Sequence, residues 1–254
     1  MTQSILSRSG LALGLALALA TAAAPAAGLA QAGRPDPKAA VTQMEREAFR
    51  AGLRSSGESM GVLMETYPDE YSAFETRIMT GLKSGALDMA GLRTMTAEWA
   101  MSMRARLAAN IAQASDADLV NIGRSQLGVM RQLGPSRPAA CYEFIENGGL
   151  TPATAGTLDD AARGQIDKLG AQQLRAAAAA IKSPVTRAPI GDADVGPILA
   201  AFKKQGGDVK WLAATTAPAE MAKFSQADRC ANAQRWLETI LAQPAPLAAR
   251  LLAK

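Results

Sequence analysis

Histidine is missing from all 254 residues, and only two cysteines occur. The lack of histidine removes Ser–His and Cys–His hydrolases, histidine-ligated zinc and most haem sites. It also leaves neither cysteine a base that would activate it as a nucleophile. There is no Cys-x-x-Cys pair for thiol exchange, and no Gly-x-Ser-x-Gly or Ser-x-x-Lys motif. Gly148-Gly149 and Gly206-Gly207 follow helical patterns rather than opening them, so they read as helix ends and not as phosphate cradles. One-sided charge is scarce as well. The formal net charge is +4, without any block of lysines or arginines, and no nucleic-acid partner is expected.

Long apolar runs are confined to one place. Leu11 to Ala24 is built of Leu, Ala, Gly and Thr, follows a single basic side chain at Arg8, and is broken by Pro25 and Gly28. Ala30-Gln-Ala32 then supplies the small-x-small pattern of a cleavage site, so residues 1–32 read as a signal peptide. The run is short and alanine-rich for a membrane span, and no second run approaches that length, which predicts no membrane span in the mature chain. Localisation is expected to be periplasmic or secreted. If the signal stays uncleaved, the alternative is a membrane-tethered structural protein.

In such a compartment two cysteines without metal-ligand spacing predict a disulfide, Cys141–Cys230. A closed loop of that length restricts the unfolded chain by about 4–5 kcal/mol in the entropy model. Both cysteines fall on short helical stretches. Ser136 and Ser225 each stand five residues before a cysteine and read as caps. The two halves share a loose order, a long helix followed by others and then a short cysteine helix.

What is present favours helix. Ala, Leu and Met greatly outnumber Val and Ile, and aromatics make up only 4%. The prediction is an all-α, disulfide-stapled bundle of about eight to ten amphipathic helices. Residues 33–254 form a single domain, with the turn-rich stretch 148–156 as the candidate joint between two helical subdomains. Val41, Met44, Ala48 and Leu53 (or Ala51) are expected along one face of the first helix. Proline at Pro68 should start another, with Tyr71, Phe74, Ile78 and Leu82 inward. Leu92, Met95, Trp99, Met103, Leu107 and Ile111 mark the longest stripe. Ser115 with Asp118, and Ser225 with Asp228, have capping-box spacing. Thr157 with Asp160 is expected to open a long helix carrying Leu158, Ala162, Ile166, Leu169, Gln173 or Leu174, Ala177 and Ile181 inward. Asp192 is expected to cap the next.

Two groups of side chains carry candidate chemistry. Glu143 and Glu146 lie three apart on one helical face, and Asp159 and Asp160 precede Asp167; these acids are the basis of an alternative reading as a carboxylate-dependent envelope enzyme. Nothing in the sequence places them in a pocket. Nine of the ten methionines beyond residue 32 lie between Met44 and Met130. Met60, Met64, Met95, Trp99 and Met103 are the candidate lining of a pliable apolar groove, with core filling as the simpler reading. No catalytic, cofactor or metal residue is predicted. The leading expectation is a non-enzymatic exported protein that binds an envelope protein or a small apolar ligand.

Overall fold

The computed structural model describes residues 41–55 and 57–253. The expected signal segment, 1–32, lies outside the described residues. Among those described there are thirteen helices, ten of seven residues or more, and no strand. In chain order they are α1 (Gln43–Arg54), α2 (Glu58–Thr66), α3 (Pro68–Ser84), α4 (Met89–Ile111), α5 (Asp116–Leu133), α6 (Pro138–Asn147) and α7 (Pro152–Gly156). They continue with α8 (Asp160–Lys182), α9 (Asp192–Lys204), α10 (Val209–Ala214), α11 (Pro218–Met221), α12 (Gln226–Leu241) and α13 (Ala245–Leu252). None of these helices is long and apolar enough to cross a membrane.

The centre of the molecule is the alanine-rich α8. Gly170, Ala171, Ala176, Ala177 and Ala180 are all buried on it, so α2, α4 and α5 approach its backbone closely. Its composition alone predicted a strong helix former; the small side chains also make it the hub. Beyond α5 lie α6, α12 and α13, and α9 packs on α12. A contiguous core cluster runs from Met60 to Leu252. Phe202 sits edge-on to Trp236, with ring centroids 5.4 Å apart, and joins α9 to α12.

The apolar stripes of α3 to α5 point inward as their periodicity required: Tyr71, Phe74, Ile78, Met103, Leu107, Ile111, Leu119, Ile122, Met130 and Leu133 are buried. Two faces differ from expectation. On α1, Met44, Ala48 and Ala51 are exposed, while Arg46, Phe49, Arg50 and Leu53 turn inward. The reason is a buried carboxylate on α3 that recruits the arginines, described below. On α8, Ala176, Ala177 and Ala180 occupy the inward side of the last turns. Ile181, about 100° further round, is 57% exposed.

Helix starts also shift. Ser115 and Ser225 cap α5 and α12, each hydroxyl oxygen accepting from the aspartate N–H at 3.1 Å and donating to that aspartate's carboxylate at 2.6 Å. Ser136 does not cap α6: its N-cap is Arg137, without a side-chain cap bond. Pro138 at the first helical position keeps the residue before it out of helical backbone, and that excludes a cap one residue earlier. Cys141 is therefore fifth counting the cap and Cys230 sixth, so the likeness between the two cysteine helices is off by one. Asp159, not Thr157, caps α8, accepting from Ala162 N–H at 2.8 Å; Thr157 ends the short α7. Gly191 precedes α9 and its N–H donates to Asp194 Oδ2 at 3.0 Å, leaving Asp192 as the first helical residue.

Candidate functional site

The disulfide joins α6 to α12, Cys141 to Cys230, with Cα atoms 5.8 Å apart. Both residues are buried. Gly134, at the end of α5, lets these helices close: a Cβ there would stand 3.1 Å from Cys230 Sγ and 2.5 Å from Gln234 Nε2. Gln234 donates to the Met130 carbonyl at 2.9 Å, so one side chain links α12 to the last turn of α5 beside the staple. The Arg229 guanidinium lies 4.6 Å from the Tyr142 ring centroid on the same helix pair. Gly134, Gln234, Arg229 and Tyr142 thus all serve the packing of α5, α6 and α12.

The predicted acids are not brought together. Glu143 reaches forward from α6 and accepts the Thr151 N–H and, at 2.5 Å, the Thr154 hydroxyl, so it caps α7 from outside. Glu146 is exposed. Asp160 is exposed and pairs with Arg163 one turn on. Asp159 is held below the usual carboxylate range by the Ala162 N–H that it caps and by Arg137, whose Nη1 is 3.1 Å away. Asp167 turns to a different partner. From the middle of α8 it accepts the N–H groups of Glu58 at 2.5 Å and Ser59 at 3.2 Å, and also the Ser59 hydroxyl. It supplies the capping carboxylate of α2 from a distant helix, because the N-cap residue Gly57 has no side chain to offer. A Cβ on Gly57 would lie 2.5 Å from Asp167 Oδ1, so the glycine makes room for its replacement cap. Arg175, two turns further along α8, pairs with Glu58 at 2.7 Å.

The five groove residues separate by depth. Met60 and Met103 are 2% and 1% exposed, inside the main core. Met64 and Trp99 are partly buried and packed against it, and Met95 is half-buried. The Trp99 ring stacks on Phe74, with centroids 4.0 Å apart. A pocket of mixed polar and apolar lining lies elsewhere among the described residues. It occupies about 280 Å³ between α5 and α8, lined by Ile122 and by the polar side chains of Asp118, Asn121, Arg124, Ser125, Gln172 and Arg175. Two of these already have work in the fold, Asp118 at the α5 cap and Arg175 on Glu58.

One ionic constellation escaped the sequence reading. Glu75 on α3 is 0% exposed. Arg50 of α1 grips both its oxygens, Nε at 2.6 Å and Nη2 at 2.7 Å, and Arg46 adds a contact at 3.3 Å. Burial alone would push the Glu75 carboxyl upward, but the two guanidinium groups outweigh it and hold the group below its ordinary range. Tyr71, one turn earlier, is raised chiefly by burial and next by the Glu75 charge. At the other end of the pair, Lys83 of α3 lies 3.0 Å from Glu45 of α1. Glu45 is lowered to about 2 by its bonds from the Thr42 backbone, then from Lys83. A signal for Glu75 existed: it lies four residues after Tyr71, on the face that periodicity assigns to the core, and Arg46 and Arg50 share the same four-residue spacing.

Compared with family models, curated proteins and solved structures, the chain matches none. Among the described residues, no group of three or more acids and cysteines is arranged to hold a metal ion.

Proposed function

We propose that this chain is an exported, non-enzymatic helical protein of the cell envelope that works by binding another protein through the outer face of α1. The carrying observation is Met44. It is 79% exposed and shares its helix face with exposed Ala48 and Ala51, because the inward side of α1 is given over to arginines. An apolar stripe held outward by a charged inner face is suited to a partner's surface. The solvated positions of Glu146 and Asp160, and the structural use of Glu143, argue against carboxylate catalysis. A small apolar ligand fits less well than a protein, since it would have to displace core neighbours to reach Met60 or Met103. The export part of the reading rests on the pattern of residues 1–32, and the native protein's intact mass, with or without that segment, separates a free protein from a tethered one.

A photo-crosslinking residue at position 48, in cells that normally make the protein, tests the partner. The expected result is one adduct of defined mass, lost in a Met44→Asp background and absent when the crosslinker stands at position 146. Equal labelling at both positions, or an adduct that survives Met44→Asp, would overturn the reading.

A further inference from the structure

The inner face of α1 has a second consequence, independent of what binds its outer face. Among the described residues, fully buried ones begin only after α1: the helix itself buries none. Its attachment includes the Arg46 and Arg50 bonds to Glu75, a 3.2 Å bond from Arg46 to the Thr76 hydroxyl, the Lys83–Glu45 pair, partial cover of Phe49, and Leu53 packed at the edge of the core beside α2. Both arginines remain partly open to water, so screening ions reach them. The helix closes its own N-terminus with a Thr42–Glu45 capping box and needs nothing from the core to do so. At its other end the chain passes through Gly57, and the first turn of α2 beyond it is secured from α8 by Asp167 and Arg175.

From this arrangement we infer that α1 is a reversible strap. It is held on α3 chiefly by charge, and detaches as a unit while α2 and the stapled core stay folded. The device follows from two separate anchors, one on each of the two successive helices. Asp167 fixes α2 from α8, and Glu75 fixes α1 from α3, with Leu53 adding a partly buried apolar contact at the edge of the core. Undocking uncovers a carboxylate that is otherwise sealed, beside the Tyr71 hydroxyl 3.4 Å away. Screening of the arginines by salt, or an anionic surface competing for them, would release the strap.

Hydrogen exchange read by mass spectrometry on the full-length protein decides the matter. In Glu75→Gln, and separately in Arg46→Gln with Arg50→Gln, the amides of residues 43–54 should exchange at least about tenfold faster, the scale expected when charge-assisted bonds are removed. In the unaltered protein, raising salt to about 1 M should move the same peptides in the same direction. Protection in α5, α8 and α12 should not change. The arginine pair is partly exposed and keeps the test valid if Glu75→Gln fails to fold. Unchanged exchange of α1 in the arginine variant would overturn the inference, as would loss of core protection by the same factor. Neither outcome bears on the crosslinking result, which reads the opposite face of the helix.

Discussion

The edge formed by α1 and α3 and the stapled assembly of α5, α6, α8 and α12 are built of equally regular helices but joined by different means. Across the first edge, long charged side chains span the gap: Arg46 and Arg50 meet a buried Glu75, and Lys83 meets Glu45. In the stapled assembly, alanines and glycines bring the helices close, and a disulfide closes a separation of 89 residues. Dispersion and covalent linkage are short-ranged and insensitive to salt, whereas a partly wet ion pair is screened and titrates. Regular secondary structure therefore says little about how firmly an element is held. What fills the space between two helices decides that.

The disulfide offers the largest way to break the contrast. Replacing Cys141 and Cys230 together by alanine should lower global stability by about 4 kcal/mol in the entropy model, read from urea unfolding curves. The loss should appear in the exchange rates of α5, α8 and α12. Were it confined to α1, the two regions would have been assigned their bonding the wrong way round.

Next in size is the long-range cap. Asp167→Ala strands the N–H groups of Glu58 and Ser59 at the start of α2. The expected cost is about 2–3 kcal/mol, with Asp167→Asn recovering part of it, measured by the same curves. A near-zero effect would mean that water replaces the carboxylate and that α2 is not pinned from α8.

Acid sharpens the comparison from the other side. Glu75 and Glu45 both have folded values below the ordinary 4.5, Glu75 through its arginines and Glu45, at about 2, through Thr42 and Lys83. The folded state thus binds fewer protons than the unfolded one in this window. The stability contributed by these groups is fully present above the ordinary value and is lost as pH falls through the folded ones. Amide protection of α1, corrected for intrinsic exchange, should be flat above pH 4.5 and decline below it, ahead of the stapled helices. Simultaneous loss in both regions would remove the distinction.

The smallest effect distinguishes two serines that look alike in sequence. Ser225→Ala removes a cap that is made and should cost about 1 kcal/mol, while Ser136→Ala should change stability by less than about 0.5 kcal/mol. Equal losses in urea unfolding would restore Ser136 as a cap and the symmetry of the cysteine helices.

The sequence was legible wherever one strong local rule acted alone. Pro68 and Pro138 start helices, Gly85 and Gly148 end them in left-handed backbone, and stripes at three- and four-residue spacing point to the core. It failed where two rules competed. At Ser136 a good capping residue lost to the constraint that Pro138 places on Arg137. At Thr157 and Asp159 two caps lay within three residues, and the second won because α7 consumed the first. On α1, periodicity assigned Met44 and Ala48 inward, but the desolvation of Glu75 had to be balanced by guanidinium groups, which took the inward side. Of the candidate site residues, the cysteine pair was readable because two cysteines leave one pairing. The acids were recognisable as helical residues, but their partners Thr151, Ser59 and Arg137 lie on other segments and leave no trace in local spacing.

Sequence alone determined that the described chain is helical, where most helices begin and end, and that two cysteines would be joined. These outcomes depend on backbone sterics, on side-chain propensity, and on there being a single way to pair two thiols. Only the tertiary structure decided that α8 is the hub, that Asp167 caps a helix far away in the chain, and that α1 rests on charge with its apolar stripe outward. Each of these is an exchange of desolvation against a partner brought from elsewhere in the chain, and such exchanges are settled only when the helices meet.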